Sequence, residues 1–163
     1  MKICAFTGPR LYKLPWSYKE KGYKFRKLKK SLTNEILYKI KEGYNYFISG
    51  MAIGIDILCA EIILNIKKRP PNIKLECAIP CRNQTNNWDT YNTTRYNDIV
   101  SKSDIVTYVS DCSYYNGCMF KRNKYMVNKA DLIIAVYNNT GGGTKQTIDY
   151  AKSINKEVII INY

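Results

Sequence analysis

The chain of 163 residues contains no histidine. Ser-His-Asp and Cys-His catalysis, histidine-ligated zinc and imidazole general-base chemistry are thereby excluded, so any catalysis would rest on carboxylates, Lys, Tyr, Cys or a bound metal. Long apolar runs are missing as well, none approaching the roughly 20 residues of a membrane span. Met1-Lys2 leads at once into Ile3-Cys4-Ala5-Phe6-Thr7-Gly8, too short an apolar region for a signal peptide and ended by a turn. A soluble, cytoplasmic protein with no membrane partner is expected. No two cysteines have CxxC spacing: neither Cys77 with Cys81 nor Cys112 with Cys118 fits a zinc knuckle, and no metal is expected. Cys4 and Cys77 fall in apolar strand-like runs and Cys59 on a helical apolar face, which reads as small buried hydrophobes rather than a disulfide framework.

Acidic residues are scarce, 13 against 26 Lys and Arg, for a formal charge of +13. The cations concentrate between Lys13 and Lys30, with a second knot at Lys67-Lys68-Arg69. A surface of this kind supplies sequence-independent affinity for phosphates, whether in nucleic acid or in a small molecule. The abundance of Lys, Asn, Ile and Tyr is also what an AT-rich genome encodes.

What is present is the composition of one globular domain, spanning 1–163, with 45% hydrophobic and 24% charged residues. Strands are expected at Lys2–Phe6, Tyr44–Ile48, Ile73–Ile79, Ile105–Val109, Leu132–Tyr137 and Val158–Asn162. Helices are expected at Phe25–Glu42, Asp56–Lys67, Asp89–Ser101, Met119–Lys129 and Thr144–Asn155. The second helix is expected to end at Arg69-Pro70-Pro71. Strands alternating with helices, and runs such as Leu132-Ile133-Ile134-Ala135-Val136 that are apolar without alternation, imply a Rossmann-like, doubly wound α/β fold. Its sheet is mostly parallel with helices on both faces.

In such a sheet ligands sit beyond the carboxyl ends of the strands. The segments at that edge are Thr7-Gly8-Pro9-Arg10, Ser49-Gly50-Met51-Ala52-Ile53-Gly54, Pro80-Cys81, Ser110-Asp111, and Asn138 through Thr144. Two of them are glycine-rich and run straight into a helix start, where unpaired N–H groups and the positive dipole end favour an anion. Neither is a P-loop nor a GxGxxG fingerprint, and no cofactor is expected.

Ser49-Gly50-Met51-Ala52-Ile53-Gly54-Ile55-Asp56, followed by Ala60-Glu61, resembles the SGxAxGxD motif of the SLOG superfamily, and Gly142-Gly143-Thr144-Lys145-Gln146-Thr147, continuing to Ala151, resembles its second motif, GGTxxT…A. That superfamily includes the DNA-processing protein DprA, the LOG cytokinin-activating hydrolases and sensor domains of bacterial defence systems. The chain is most similar to the YpsA-like branch, through Phe6-Thr7-Gly8-Pro9-Arg10 with Lys13-Leu14-Pro15-Trp16, Ile79-Pro80-Cys81 with Gln84 and Trp88, Tyr96, and Tyr115 through Arg122-Asn123-Lys124-Tyr125-Met126-Val127. The resemblance implies a Rossmann-like fold and a nucleotide-related ligand. LOG hydrolases carry an acidic residue where this chain has Gln146, which cannot act as a general acid or base. The branch often reads TGHR where Pro9 stands here.

The resemblance gives each motif residue an expected role. Gly50, Gly54, Gly141, Gly142 and Gly143 would bring backbone N–H groups to a phosphate or ribose, with Thr7, Gly8, Met51, Ala52 and Pro80 in the same loops. Ser49, Thr144 and Thr147 would donate hydroxyls or cap helices. Asp56 would fix its loop or bind a ribose hydroxyl. Arg10, Arg122 and Asn123 would contact phosphate. Gln84 would line the pocket, and Trp16, Trp88, Tyr96 and Tyr115 would stack on a base or fold loops onto the core.

Three functions stay open. The first is a non-catalytic receptor or sponge for a nucleotide-derived signal, in its sharpest form a mobile-element counter-defence protein that sequesters an immune nucleotide. The second is a LOG-type N-glycosidase or phosphoribohydrolase using Asp56, Glu61 or Asp149. The third is a DprA-like single-strand binder using the Arg10–Lys30 segment. A homo-oligomer is expected from the resemblance, and the Arg10–Tyr23 loop is a candidate cover for the ligand.

Overall fold

The computed structural model describes residues 1–16, 20–68 and 72–163. The predicted cover segment Arg10–Tyr23 and the predicted helix stop at Arg69-Pro70-Pro71 lie partly or wholly outside them. Six strands form one sheet in the order β4-β3-β2-β1-β5-β6. They are β1 (Lys2–Thr7), β2 (Tyr44–Ser49), β3 (Lys74–Ile79), β4 (Ile105–Tyr108), β5 (Leu132–Val136) and β6 (Glu157–Ile161), and every pairing is parallel. Five helices cover it: α1 (Tyr23–Lys41), α2 (Ile55–Ile66), α3 (Thr90–Lys102), α4 (Cys118–Lys129) and α5 (Gly142–Ser153). The expected doubly wound α/β fold is present, and every predicted element has its counterpart within about two residues.

The strand order fixes where a ligand can enter. The chain winds from β1 outward through β4, then returns to the opposite side of β1 to lay down β5 and β6. Right-handed crossovers that reverse direction put their helices on opposite faces. Leu28, Leu32 and Ile36 of α1 accordingly join Ile57 and Leu58 of α2 and Ile99 of α3 in one core layer. Met126 and Val127 of α4 and Ala151 of α5 form the other. The reversal opens a crevice between the ends of β1 and β5, the switch point of a doubly wound sheet. Among the described residues no helix is long and apolar enough to cross a membrane.

Inside the second layer β3 carries a charge. Glu76 is fully buried and accepts hydrogen bonds from Tyr46 (2.7 Å), Thr107 (2.7 Å), Tyr125 (2.6 Å) and the Lys129 ammonium (2.7 Å). Burial raises the Glu76 carboxyl, but Lys129 and the three hydroxyls outweigh it and hold the group below its ordinary value. Burial and the same carboxylate push Tyr46 up to about 12. Glu76→Gln would turn an amide N–H₂ toward two of the four donors and leave the Lys129 ammonium without its countercharge, so it is expected to cost about 3 kcal/mol at neutral pH. The carboxyl's stabilisation is complete above the unfolded value of about 4.3 and is lost as the pH falls through the lower folded value. Urea titrations of both proteins should therefore diverge at pH 7 and draw together progressively as the pH falls below the unfolded value of about 4.3.

Candidate functional site

The switch-point crevice is a cleft of about 290 Å³. Its walls come from the loop after β1 (Thr7, Gly8, Pro9, Arg10, Tyr12, Lys13), from the turn leading into α5 (Thr140, Gly141, Gly143, Thr144), from Ala52 and Asp56 after β2, and from Met119, Arg122 and Asn123 of α4. These four segments, far apart in sequence, meet because all lie at the carboxyl edge of one parallel sheet.

Sterics hold the first two loops against each other. Arg10 and Gly54 form an antiparallel bridge, with Leu11 N–H donating to Ile53 O at 3.2 Å. Gly54 has φ +121°, and a Cβ there would lie 2.6 Å from Pro9 O and 2.8 Å from Leu11 N. Only glycine allows that approach. At Gly8 a Cβ would collide with Ile55 at the start of α2, 2.6 Å away.

At the floor of the cleft lies an almost completely buried ion pair. Arg122 and Asp56 are 4% and 7% exposed, with Nη1 and Oδ2 3.6 Å apart. The same Nη1 donates to Gly50 O, Asp56 Oδ2 accepts from Ala52 N–H at 3.3 Å, and Ser49 Oγ donates to Asp56 O at 2.8 Å. From Arg122 the network continues: Nε donates to Asn123 Oδ1 at 2.8 Å, Asn123 Nδ2 donates to Thr147 Oγ1 at 3.0 Å, and Thr147 Oγ1 donates to Gly143 O at 2.8 Å. Burial raises the Asp56 carboxyl, opposed by Arg122, by Ala52 N–H and by Arg10. Burial likewise lowers Arg122, opposed by Asp56. Met51 sits in this knot with φ +58° and no exposure, a strained conformation for a side chain that large.

The predicted site residues therefore divide. Thr7, Gly8, Arg10, Ala52, Asp56, Arg122, Asn123, Gly141, Gly143 and Thr144 line the cleft. Ser49, Gly50, Met51 and Thr147 stand behind it, completely or almost completely buried, and shape the loops; Pro80, also buried, does not line it. Gly54 holds the loop junction, and Gly142, at φ +80°, lies close to the Lys13 ammonium. Gln84 and Trp88 line a neighbouring cavity. The Tyr115 hydroxyl is 3.0 Å from Ser110 Oγ, and its neighbour Tyr114 faces that second cavity instead. Trp16 packs edge-on against Phe25 and Tyr163, and Tyr96 against Trp88. Of the carboxylates considered for catalysis, Asp56 alone lines the cleft. Glu61 is held by Arg95 at 2.8 Å, and Asp149 pairs with Lys145 on an exposed face of α5. Gln146 is exposed on that helix and away from the cleft walls.

Sequence reasoning did not single out Tyr12, Thr140 or Met119, or give Lys13 a role. They sit in turns and a helix start whose side-chain directions have no periodicity. Among the described residues neither Arg10 nor Lys13 forms an ion pair, and no side chain caps the N-terminus of α5.

Residues 4–160 match the profile of the YspA SLOG family. A UPF0398 protein of Halalkalibacterium halodurans is 26% identical over 146 residues, covering 88% of this chain and 76% of the relative. One from Bacillus cereus is 27% identical over 164 residues, covering the whole chain and 88% of the relative. Among solved structures, the chain is similar to the single-stranded-DNA-binding DNA processing protein A of Helicobacter pylori, with TM-score 0.66, 18% identity and 98% of this chain covered. DNA processing protein A of Streptococcus pneumoniae has the same TM-score at 15% identity. This chain spans 64% and 50% of those two structures, respectively.

The buried network yields a prediction about glycine. A Cβ on Gly50 would fall inside the Arg122 guanidinium and 2.7 Å from Asp56 Oδ2. Gly50→Ala should therefore displace a buried charge and cost about 3 kcal/mol or more. Gly143 has open space around its Cβ position and an ordinary φ, so Gly143→Ala should keep stability within about 1 kcal/mol. Denaturant midpoints of the two variants check both.

Proposed function

Because the chain belongs to the YspA SLOG family, we propose that it binds a nucleotide or nucleotide-derived phosphate ester in the β1/β5 cleft, as a receptor or sequestering protein and without turning it over. One observation carries this reading. Arg10 and Lys13, unpaired among the described residues, face the same small cleft as the uncapped start of α5. Cations with no ion pair among the described residues, beside helix N–H groups that no side chain caps, form a site whose unmet partner is an anion. Arg122, by contrast, spends its charge on Asp56 and Gly50.

A catalytic reading has less support. Among the described residues Asp56 is the one acidic side chain on the cleft walls, and it is engaged by Arg122 and Ala52 N–H. Purified protein incubated at high concentration with nucleoside monophosphates is expected to release no free base; release would overturn the non-catalytic assignment.

Native mass spectrometry, followed by denaturation and identification of what is released, is expected to find a nucleotide-like molecule. Failure to carry or bind any nucleotide from a broad panel would overturn the proposal. Arg10→Ala and Lys13→Ala should each weaken a phosphate ester about tenfold or more, since each removes a charge-assisted contact of about 1.5–3 kcal/mol. Thermal unfolding should stay unchanged, because neither side chain has an ion pair to lose among the described residues.

A second reading rests on a different surface. Lys24, Arg26, Lys27, Lys29 and Lys30 are all exposed on the first turns of α1, a density of cations suited to a nucleic-acid backbone. If it holds, affinity for single-stranded DNA will fall steeply with salt across unrelated sequences. Nucleotide binding in the cleft would not show that slope.

A further inference from the structure

Beside the cleft lies a second cavity of about 760 Å³, and Arg10, Tyr12 and Met119 are walls of both. The first, at about 290 Å³, is at the small end of ligand sites, which run roughly 300–1,000 Å³. A phosphate held there has an adjoining cavity for the rest of its molecule, past the shared walls Arg10 and Tyr12.

The two cavities differ in chemistry. Among the described residues, the larger one has no charged side chain on its walls apart from the shared Arg10. It has four carboxamides instead, Asn83, Gln84, Asn86 and Asn87, and the rings of Tyr12 and Tyr114. Those tyrosines come from separate loops, after β1 and after β4, and each is 60% exposed. An exposed ring on a cavity wall is a stacking platform, and every base offers a π face. Carboxamides present donor and acceptor side by side, the pattern that matches a base edge. The Gln84 amide donates to Met51 O at 3.2 Å, which fixes this side chain at the wall beside the loop after β2.

Resting on the cleft reading above, we propose that the larger cavity is a base subsite: the ligand is a nucleoside monophosphate or a similar ester with charge at one end. Its phosphate lies in the Arg10–Lys13 cleft, and its neutral heterocycle lies against Tyr12 and Tyr114 among the carboxamides. A ligand with anions at both ends would put charge into a cavity that, among the described residues, offers the shared Arg10 as its sole cation.

Calorimetry with inorganic phosphate, ribose 5-phosphate and the four common nucleoside 5′-monophosphates tests the assignment. At least one nucleotide is expected to bind about tenfold or more tighter than ribose 5-phosphate, the worth of one stacked base. Tyr114→Ala should erase that advantage while leaving ribose 5-phosphate affinity within about twofold, and Tyr114→Phe should retain it. Tyr114 contributes only its backbone N–H to Asn83 Oδ1, so the Ala variant keeps that bond, and an unchanged thermal unfolding curve verifies the fold. Equal affinity for nucleotides and ribose 5-phosphate, untouched by Tyr114→Ala, would overturn the base subsite and leave the phosphate cleft standing. No binding of any phosphate ester would remove both.

Discussion

The carboxyl edge of this sheet depends on one buried charge pair, Arg122 with Asp56. Two ionised groups taken out of water cost several kcal/mol each unless their hydrogen-bonding capacity is met. Here it is met by backbone: Gly50 O accepts from the guanidinium, and Ala52 N–H donates to the carboxylate. The loop after β2 must therefore wrap around the guanidinium, and Gly50 is the residue whose missing side chain leaves room for it. Through Asn123, Thr147 and Gly143 the same arginine reaches the first turn of α5. One side chain from α4 thus ties α2 to α5 at the floor of the cleft.

That arrangement separates two jobs that a motif comparison merges. The conspicuous residues of the loop after β2, Ser49, Gly50 and Met51, hold the shape and are buried. The groups left open to a ligand come from the less conspicuous loop after β1, Arg10, Tyr12 and Lys13, and from the α5 turn. Gly54 joins the two loops, because the chain at Pro9–Leu11 passes where its side chain would be. Strain at Met51 is sustained by its complete burial and by its N–H donating to Ser49 Oγ, while Gly141 and Gly142 take up positive φ without strain. The cleft is consequently shaped before any ligand arrives, which lowers the ordering cost of binding.

Much of this was readable in the sequence, and for identifiable reasons. Apolar runs without alternation mark doubly covered strands, so Leu132–Val136, together with the alternation of strands and helices, announced a parallel sheet and the edge where such sheets take ligands. Glycines running into helix starts marked two of the loops. Direction was not readable. Gly50 and Gly143 look alike in a motif, yet one faces a guanidinium and the other open space. Arg122 reads as a phosphate ligand until its carboxylate partner, 66 residues earlier in the chain, is seen at 3.6 Å. In Tyr114-Tyr115 an irregular loop gives no period from which to choose the ring that faces the cavity. The sequence comparison favoured Tyr115, and the structure turns Tyr114 to the wall.

The most direct test is a crystal structure of the protein with a nucleoside monophosphate. The account predicts the phosphate at the start of α5, within hydrogen-bonding distance of Arg10 and Lys13, with Arg122 still on Asp56 and Gly50. A phosphate bound by Arg122 with the Asp56 pair broken, or seated away from the β1/β5 crevice, would contradict it.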